Sequence, residues 1–340
     1  LSLNLLVSST SWFSLFLVWL LCASSVPIDY PNAILMIPIG IAALSRIINF
    51  AKTKRAIVIN LRPYFLATFF SMIIPLGLFM WFNKESYGDP LQLSGTVASV
   101  ARIDENGDPA TPERDFEMLG EEYVNPDLQK KSAVGFFEPR DLINGFYTHL
   151  FARDRGIIFF TPVLILALFG FAHLMSLRAE LGIISLSVSL LALLVYSLWG
   201  DPWGGWAFGS RYLIPAYAML SLMIASALDR YRRNFILLFL ALSLGIYSIF
   251  ANTTGALGTI ATPPKVQVLS LEAITGRVER YSWDRSWEYI TGGKTKSAAY
   301  EAYFASHLSP INYFYYIFGS LSVVYLLIFV VHFVIARRSK

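Results

Sequence analysis

The stretch YLIPAYAMLSLMIASALDRYRRNFILLFLALSLGIYSIFA (212–251) decides the fold class of this chain. Two apolar runs, 212–228 and 235–251, stand on either side of the charged connection DRYRRN (229–234). A hydrocarbon layer of ~30 Å is crossed by about 20 helical residues, and a helix satisfies its own backbone hydrogen bonds, as lipid requires. The stretch therefore predicts two membrane-spanning helices joined by a short basic loop.

Similar apolar runs recur along the whole chain. Hydrophobic residues make up 55% of the 340 positions and charged residues only 15%, against about 25% charged in an average soluble domain. We therefore predict an all-α polytopic membrane protein with about eight transmembrane helices and two extracytoplasmic insertions. The predicted helices lie near residues 3–25, 31–49, 63–82, 156–176, 181–199, 212–228, 235–251 and 311–336.

Basic residues mark every second connection between these predicted helices. Positive charges in short loops favour the cytoplasmic side of a membrane, so we expect these connections and both termini to be cytoplasmic. The net charge of +4 is then a topology signal and not a nucleic-acid-binding surface. The basic residues concerned are Lys52, Lys54, Arg55, Arg62, Arg178, Arg230, Arg232, Arg233, Arg337, Arg338 and Lys340.

The pattern predicts one membrane domain interrupted by two outer segments. Residues 1–82 hold transmembrane helices 1–3, 83–155 form an outer loop module with an interfacial helix, 156–251 hold helices 4–7, 252–310 form a second outer segment, and 311–340 hold helix 8 and a basic cytoplasmic tail.

The first outer segment is acidic and rich in turn-forming residues around DENGDPATPERD (104–115). VASVARI (97–103) predicts a short strand and ERDFEMLGEEY (113–123) a short helix. RDLINGFYTHLFARDR (140–155) is typical of a helix lying in the headgroup layer. A calcium loop at 104–115 is an alternative, although the spacing does not match an EF-hand.

Cysteine and histidine usage predicts no metal site and no cofactor. The single cysteine, Cys22, falls within the first predicted helix, so a disulfide framework or thiolate site is excluded. The four histidines, His149, His173, His307 and His332, are scattered without ligand spacing.

The segment YSLWGDPWGGWAFGSRYL (196–213) is the most informative part of the sequence. Its glycines allow close approach of a ligand, and Trp203, Trp206 and Tyr212 offer flat apolar walls. Arg211 supplies a fork suited to phosphate, and an arginine on the outer side needs a partner or an anionic ligand. The alternative is an aromatic belt at the membrane surface.

Two further groups of residues are candidates for chemistry. Arg153 and Arg155 border the outer end of the fourth predicted helix and, with Arg211, could bracket a phosphate or diphosphate; the alternative is headgroup contact and a local pair with Asp154. Asp29 lies at the outer side of the first helical pair, where a carboxylate could act as a base or cap a helix.

Three segments resemble the GT-C superfamily of bacterial and archaeal membrane glycosyltransferases, in the group around protein mannosyltransferases and aminoarabinose transferases. They are IIPLGLFMWFNKESYGDPLQLSGT (73–96), LFARDRGIIFFTPVLILALFG (150–170) and WGDPWGGWAFGSRYLIP (199–215). The resemblance implies transfer of a sugar from a polyprenyl-phosphate carrier on the outer face of a prokaryotic cytoplasmic membrane.

The resemblance also implies roles for individual residues. Arg153, Arg155 and Arg211 would bind carrier phosphate, and Trp203, Trp206 and Tyr212 would shape the sugar pocket. Asp201 would hydrogen-bond sugar hydroxyls or orient Arg211, and Asp29 and Asp201 are the candidate catalytic carboxylates, in an inverting displacement that needs no nucleotide and no cofactor.

The chain departs from that family in one respect. The family's catalytic carboxylate usually sits in a first outer loop, ahead of the region that matches here, so the chain resembles a C-terminal portion. We expect either a separately encoded or longer N-terminal part, or a non-catalytic scaffold subunit with other membrane subunits as partners. A transporter is a third alternative, in which Arg46 would be the main intramembrane charge.

The orientation can be tested by labelling. Cysteines introduced at Ser94 and Gly292 are expected to react with impermeant thiol reagents applied to intact cells, whereas a cysteine at Lys54 is not, because the basic connections favour the cytoplasm. Labelling of Lys54→Cys in intact cells would contradict the orientation.

Overall fold

The computed structural model describes residues 2, 11–52, 57–92, 102–103, 109–110, 136–259, 262–278 and 280–338. Most of these residues are helical, and two short strand pairs accompany the helices. The α-helices of the described residues are α1 Trp12–Ser25, α2 Asn32–Leu35, α3 Ile37–Ile47, α4 Ile73–Tyr87, α5 Leu142–Leu150, α6 Ile157–Phe160, α7 Ala167–Leu177, α8 Ala179–Ser197, α9 Ile214–Arg230, α10 Phe235–Leu257, α11 Lys265–Thr275, α12 Asp284–Thr291, α13 Ala298–Tyr303 and α14 Pro310–Arg338. The 3-10 helices are Pro63–Met72, Pro139–Asp141, Pro162–Leu166 and Arg211–Leu213, and the strands are β1 Ile48–Lys52, β2 Ile57–Leu61, β3 Arg102–Ile103 and β4 Pro109–Ala110.

Within the described residues, five helical segments are long and apolar enough to cross a membrane, which makes the chain an integral membrane protein of multi-pass helical type. Three other predicted spans contain shorter apolar helices, Trp12–Ser25, Ile37–Ile47 and Pro162–Leu177, and residues 3–10 of the first lie outside the described part of the chain. A total of eight spans stays a prediction. The five long segments are Phe65–Tyr87, Ala179–Ser197, Arg211–Arg230, Phe235–Leu257 and Pro310–Val331.

The second predicted helix, near 31–49, is interrupted and ends earlier than expected. It consists of α2 and α3, and the chain turns into β1 at Ile48. Strands β1 and β2 pair antiparallel, from Ile48 opposite Leu61 to Lys52 opposite Ile57. Isoleucine and valine in these strands favour extended structure over helix, so the described residues on either side of 53–56 are paired strands.

The outer segments are described only in part. Of the predicted strand 97–103, Arg102 and Ile103 are described and form β3, paired with β4. The predicted helix 113–123 lies outside the described residues. The predicted interfacial helix 140–155 contains α5, and the second outer segment holds α11, α12 and α13.

The chain forms two compact units. The first comprises residues 1–33 and 47–138 and the second residues 34–46 and 139–340. Within the first unit, α1 packs against the 3-10 helix Pro63–Met72 and against α4, with the rings of Trp19 and Phe69 4.6 Å apart.

In the second unit, α9 packs against α7 and α8, and α10 packs against α14. Helices α7 and α9 approach closely, because Gly170 offers no side chain to separate them. A Cβ atom at Gly170 would lie 1.7 Å from the carbonyl oxygen of Met223 and 2.6 Å from the nitrogen of Ala227. Small residues at helix interfaces are what lets backbones touch inside a membrane.

Helix α10 compensates for a break in the fourth predicted helix. The chain breaks between α6 and the 3-10 helix that starts at Pro162, because proline lacks an N–H donor. The Tyr247 hydroxyl donates to the Phe159 carbonyl (3.0 Å) and the Asn252 amide to the Phe160 carbonyl (2.9 Å). The Ser248 hydroxyl accepts from the Val163 N–H (3.3 Å). Side chains of a neighbouring helix thus satisfy backbone groups that the break frees.

The close approach of α7 and α9 can be tested with a pair of glycine variants. Gly170→Ala is expected to destabilise the protein by about 1–3 kcal/mol, because the added methyl group overpacks the contact. Gly77→Ala is the matched control, since a Cβ there meets nothing within 4 Å. Thermal unfolding in detergent measures both, and equal midpoints for the two variants would contradict the close contact.

Candidate functional site

The candidate site is built on the turn that joins α8 to α9, residues 198–210. Gly204, Gly205 and Gly209 have positive φ angles of 65°, 65° and 59°, a conformation that favours glycine. A Cβ atom at Gly204 would lie 3.0 Å from Nε of Arg211 and 3.1 Å from the ring of Tyr212. The turn therefore lies directly against the start of the helix that follows it.

Arg155 is completely buried, at 0% exposure. Its guanidinium donates four hydrogen bonds, all to main-chain carbonyl oxygens. They run from Nε to Trp203 (2.9 Å), from Nη1 to Asp154 (2.5 Å), and from Nη2 to Gly205 and to Thr262 (2.6 Å each). One side chain therefore ties the turn to the segment that precedes α11.

The charge of Arg155 is kept despite its burial. Burial lowers the pKa of Arg155 to about 10, the carboxylates of Asp154 and Asp201 oppose the shift, and the positive charge of Arg211 adds to it. The guanidinium is therefore protonated at neutral pH. The buried carboxylate of Asp154 accepts from the Lys265 N–H at 3.1 Å, at the start of α11.

His149 fixes the other end of the turn. Its ring is fully buried, and burial lowers the pKa of His149 to about 4. Repulsion by Arg155 lowers this pKa further, whereas the hydrogen bond to the Tyr196 carbonyl opposes the shift. The ring is therefore neutral at neutral pH. Nε2 lies 3.2 Å from that carbonyl and so carries the proton, which leaves Nδ1 to accept from the Ser210 hydroxyl at 2.5 Å.

Aromatic rings form one wall of the site. The rings of Tyr196 and Tyr212 are parallel with centroids 4.6 Å apart, and Trp199 is tilted toward both, at 6.3 and 6.5 Å. The guanidinium carbon of Arg211 lies 5.3 Å from the centre of the Tyr212 ring. Such cation–π contact orients the cation without neutralising it.

Two of the predicted phosphate-binding arginines are exposed and one is not. Arg153 and Arg211 are exposed, and within the described residues neither has a carboxylate at ion-pair distance. Arg155, two residues after Arg153, instead binds backbone carbonyls, including that of Asp154. Arg153 and Arg211 are therefore the two that remain accessible to an anion.

The two predicted tryptophans differ in their surroundings. Trp203 is half-buried and presents its carbonyl to Arg155. Trp206 is 44% exposed, its indole N–H donates to the side chain of Gln267, and the guanidinium carbon of Arg285 lies 5.8 Å from its ring centre. Helices α11 and α12 therefore contribute to the site through these contacts.

The two predicted catalytic carboxylates lie in different units. Asp201 is exposed, and its Oδ2 atom accepts from the Gly205 N–H at 2.9 Å, which holds the turn closed. Asp29 belongs to the first unit and is half-exposed, and its carbonyl accepts from the Asn32 N–H at 2.9 Å.

Several residues of the site were not predicted from the sequence to belong to it. His149, Ser210, Thr262 and Gln267 join it through contacts that no sequence spacing indicates. Arg285 lies in YSWDRSWEY (281–289). The aromatic residues of this segment do indicate contact with the membrane surface or with a substrate.

The structural role of Arg155 can be tested against its neighbour. Arg155→Met is expected to lower stability by at least about 3 kcal/mol, since several buried carbonyls lose their donor at ~1–3 kcal/mol each. Arg153→Met is the control, because Arg153 is exposed. Chemical unfolding in detergent and protease cleavage within 200–209 measure the effect. Similar unfolding midpoints for the two variants would show that Arg155 does not hold the turn.

The arrangement offers two exposed guanidinium groups, aromatic rings and a carboxylate at one end of membrane-spanning helices. Such a set suits an anionic group attached to an apolar or sugar-like one. Within the described residues, no cluster of histidine, cysteine, aspartate and glutamate could hold a metal ion. Comparisons of the chain with models of known protein families, with curated proteins and with solved structures find no match.

Proposed function

We propose that the chain is a GT-C-type glycosyltransferase, or the C-terminal part of one, that transfers a sugar from a polyprenyl-phosphate carrier. The single observation that carries this proposal is Arg211. Its exposed guanidinium is placed beside Gly204 and the Tyr212 ring at the first turn of a membrane-spanning segment. A lipid phosphate reaches that position from the membrane surface while its chain stays in the hydrocarbon.

The charge balance of the site supports an anionic ligand. Three arginines, Arg153, Arg155 and Arg211, stand against two aspartates, Asp154 and Asp201, and Arg285 beside Trp206 adds a further positive charge. Burial is the main cause of the lowered pKa of Arg155, and repulsion between Arg155 and Arg211 adds to it. A phosphate at Arg211 and Arg153 would relieve that repulsion, with Arg155 acting as a positioning residue.

The aromatic residues supply a surface for the sugar. Trp206 is exposed beside Gln267, whose amide can hydrogen-bond a hydroxyl, and Trp203 is half-buried next to it in the turn. An aromatic face packs against the C–H face of a sugar ring while polar neighbours bind its hydroxyls. Asp201, exposed at the same turn, would bind a further hydroxyl.

The reaction is an inverting displacement. The acceptor hydroxyl oxygen attacks the anomeric carbon of the sugar, the bond between that carbon and the phosphate oxygen breaks, and polyprenyl phosphate leaves. A carboxylate takes the proton of the acceptor hydroxyl, and Asp201 and Asp29 are the candidates. We place the reaction on the outer face of a prokaryotic cytoplasmic membrane, with both termini of the chain cytoplasmic.

One observation favours a second candidate function, a non-catalytic scaffold subunit of a larger membrane complex. The carboxylate of Asp201 already accepts a hydrogen bond from the Gly205 N–H, as expected of a residue that shapes the turn. In that case the site binds a lipid headgroup without turning it over, because binding alone does not accelerate a reaction.

Carrier binding is the first test. Arg211→Ala is expected to weaken binding of polyprenyl phosphate by the purified protein at least tenfold, about 1.4 kcal/mol, because a charge-assisted contact is lost. Arg233→Ala is the control, since Arg233 is an exposed arginine in the connection between α9 and α10. Equal carrier binding by the folded Arg211→Ala protein would contradict the proposal and favour an aromatic belt.

Turnover separates the two candidate functions. Release of polyprenyl phosphate from a polyprenyl-phosphate sugar, abolished by Asp201→Asn or Asp29→Asn, would identify the base and establish the transferase. Carrier binding without turnover, together with a partner retained through gentle detergent extraction, would establish the scaffold subunit.

A further inference from the structure

A second candidate binding site lies along α8, with its charged end at the start of that helix. Helices α3 and α8 line an open groove of about 780 Å³ within the second unit. Glu180 lies at the start of α8 and the candidate site lies beyond Ser197 at its end, roughly 25 Å away at 1.5 Å per residue. The charged end of the groove is therefore separate from the turn that precedes Arg211, whereas its aliphatic wall runs along α8 as far as Leu194.

The walls of the groove are aliphatic. α8 is one of the helices long and apolar enough to span a membrane, so the medium around this groove is hydrocarbon. Apolar side chains that are 40–62% exposed are what a lipid chain packs against in that setting. The most exposed aliphatic residues along the groove are Ile37, Ile41, Ile183, Leu190 and Leu194.

One end of the groove is charged. Arg46, at the end of α3, donates from Nη2 to Oε2 of Glu180 at 2.5 Å, and both residues line the groove. The Arg46 side chain is 29% exposed, so it has further N–H groups for a second acceptor. Its Nε–H is buried and has no hydrogen-bond partner among the described residues.

The charged end attracts an anion. Arg46 keeps N–H groups that its pair with Glu180 does not use. The first turn of α8 adds the positive end of a 19-residue helix dipole. A guanidinium fork binds phosphate, like carboxylate, in a bidentate manner.

We propose that the groove between α3 and α8 binds one anionic glycerophospholipid. An acyl chain lies along the aliphatic walls, and the headgroup phosphate lies at Arg46, which then bridges the phosphate and Glu180. The lipid belongs to the leaflet at the start of α8, away from the candidate transfer site. This site does not depend on glycosyl transfer.

Native mass spectrometry of lipids retained by the purified full chain tests the site. The protein is extracted from vesicles that contain equal parts of phosphatidylglycerol and phosphatidylcholine. The wild-type protein is expected to retain one phosphatidylglycerol at least tenfold in preference to phosphatidylcholine. Equal retention of the two lipids, or retention of a fatty acid in their place, would overturn the proposal.

Two charge variants distinguish a lipid site from a structural ion pair. Arg46→Gln is expected to reduce phosphatidylglycerol retention at least tenfold, because the phosphate loses its guanidinium. Glu180→Gln is expected to retain the lipid at least as well as the wild type, since the guanidinium is then no longer shared with a carboxylate. If both variants lose the lipid equally, the pair is structural and the proposal fails.

A variant of the groove wall keeps the test valid if Arg46→Gln does not fold. Ile41→Trp fills the groove from an exposed position and is expected to displace the lipid. Ile236→Trp is the matched control, because Ile236 on α10 is 71% exposed and does not line the groove. Lipid retention unchanged by Ile41→Trp in a correctly folded protein would overturn the proposal.

Discussion

Two hydrogen bonds from the buried guanidinium of Arg155, to the main-chain carbonyls of Trp203 and Gly205, hold the turn between α8 and α9 in place. The glycine backbone of the turn loses much conformational freedom on ordering. Arg155 supplies donors to this backbone, and it also reaches Thr262 ahead of α11. The exposed Arg211 lies against the turn that these contacts hold.

The same constraint, that backbone polar groups must be satisfied near lipid, explains other parts of the second unit. The break before Pro162 leaves carbonyl and amide groups without helical partners. Tyr247, Ser248 and Asn252 of α10 form hydrogen bonds with these groups. The His149 ring likewise forms a hydrogen bond with the carbonyl of Tyr196. Polar side chains inside this unit therefore satisfy the hydrogen-bonding groups of the irregular backbone that positions the candidate site.

The arginines at the two ends of α8 differ in burial and in ion pairing. At the end of the helix, Arg155 is buried to shape the turn, and Arg211 is left exposed without an ion pair among the described residues. At its start, Arg46 is paired with Glu180 beside an apolar groove. An exposed unpaired guanidinium suits a ligand that binds and dissociates in each turnover. A paired guanidinium at a groove suits a lipid that stays bound. These are the two sites that we propose, one for transfer and one for a lipid.

The sequence by itself determined that the chain is a multi-pass membrane protein and that the 196–213 segment is its most informative turn, because long apolar runs and glycine–tryptophan clusters are local properties. Only the tertiary structure decided which arginine is exposed. Arg153 and Arg155 look alike in sequence, yet Arg155 is buried through contacts with residues 48 and 107 positions away. The strand pair that follows the helix near 31–49 and the contribution of Gln267 were equally absent from the sequence prediction. Hydrogen bonds and burial depend on residues that are distant along the chain, and no local pattern records which of them meet.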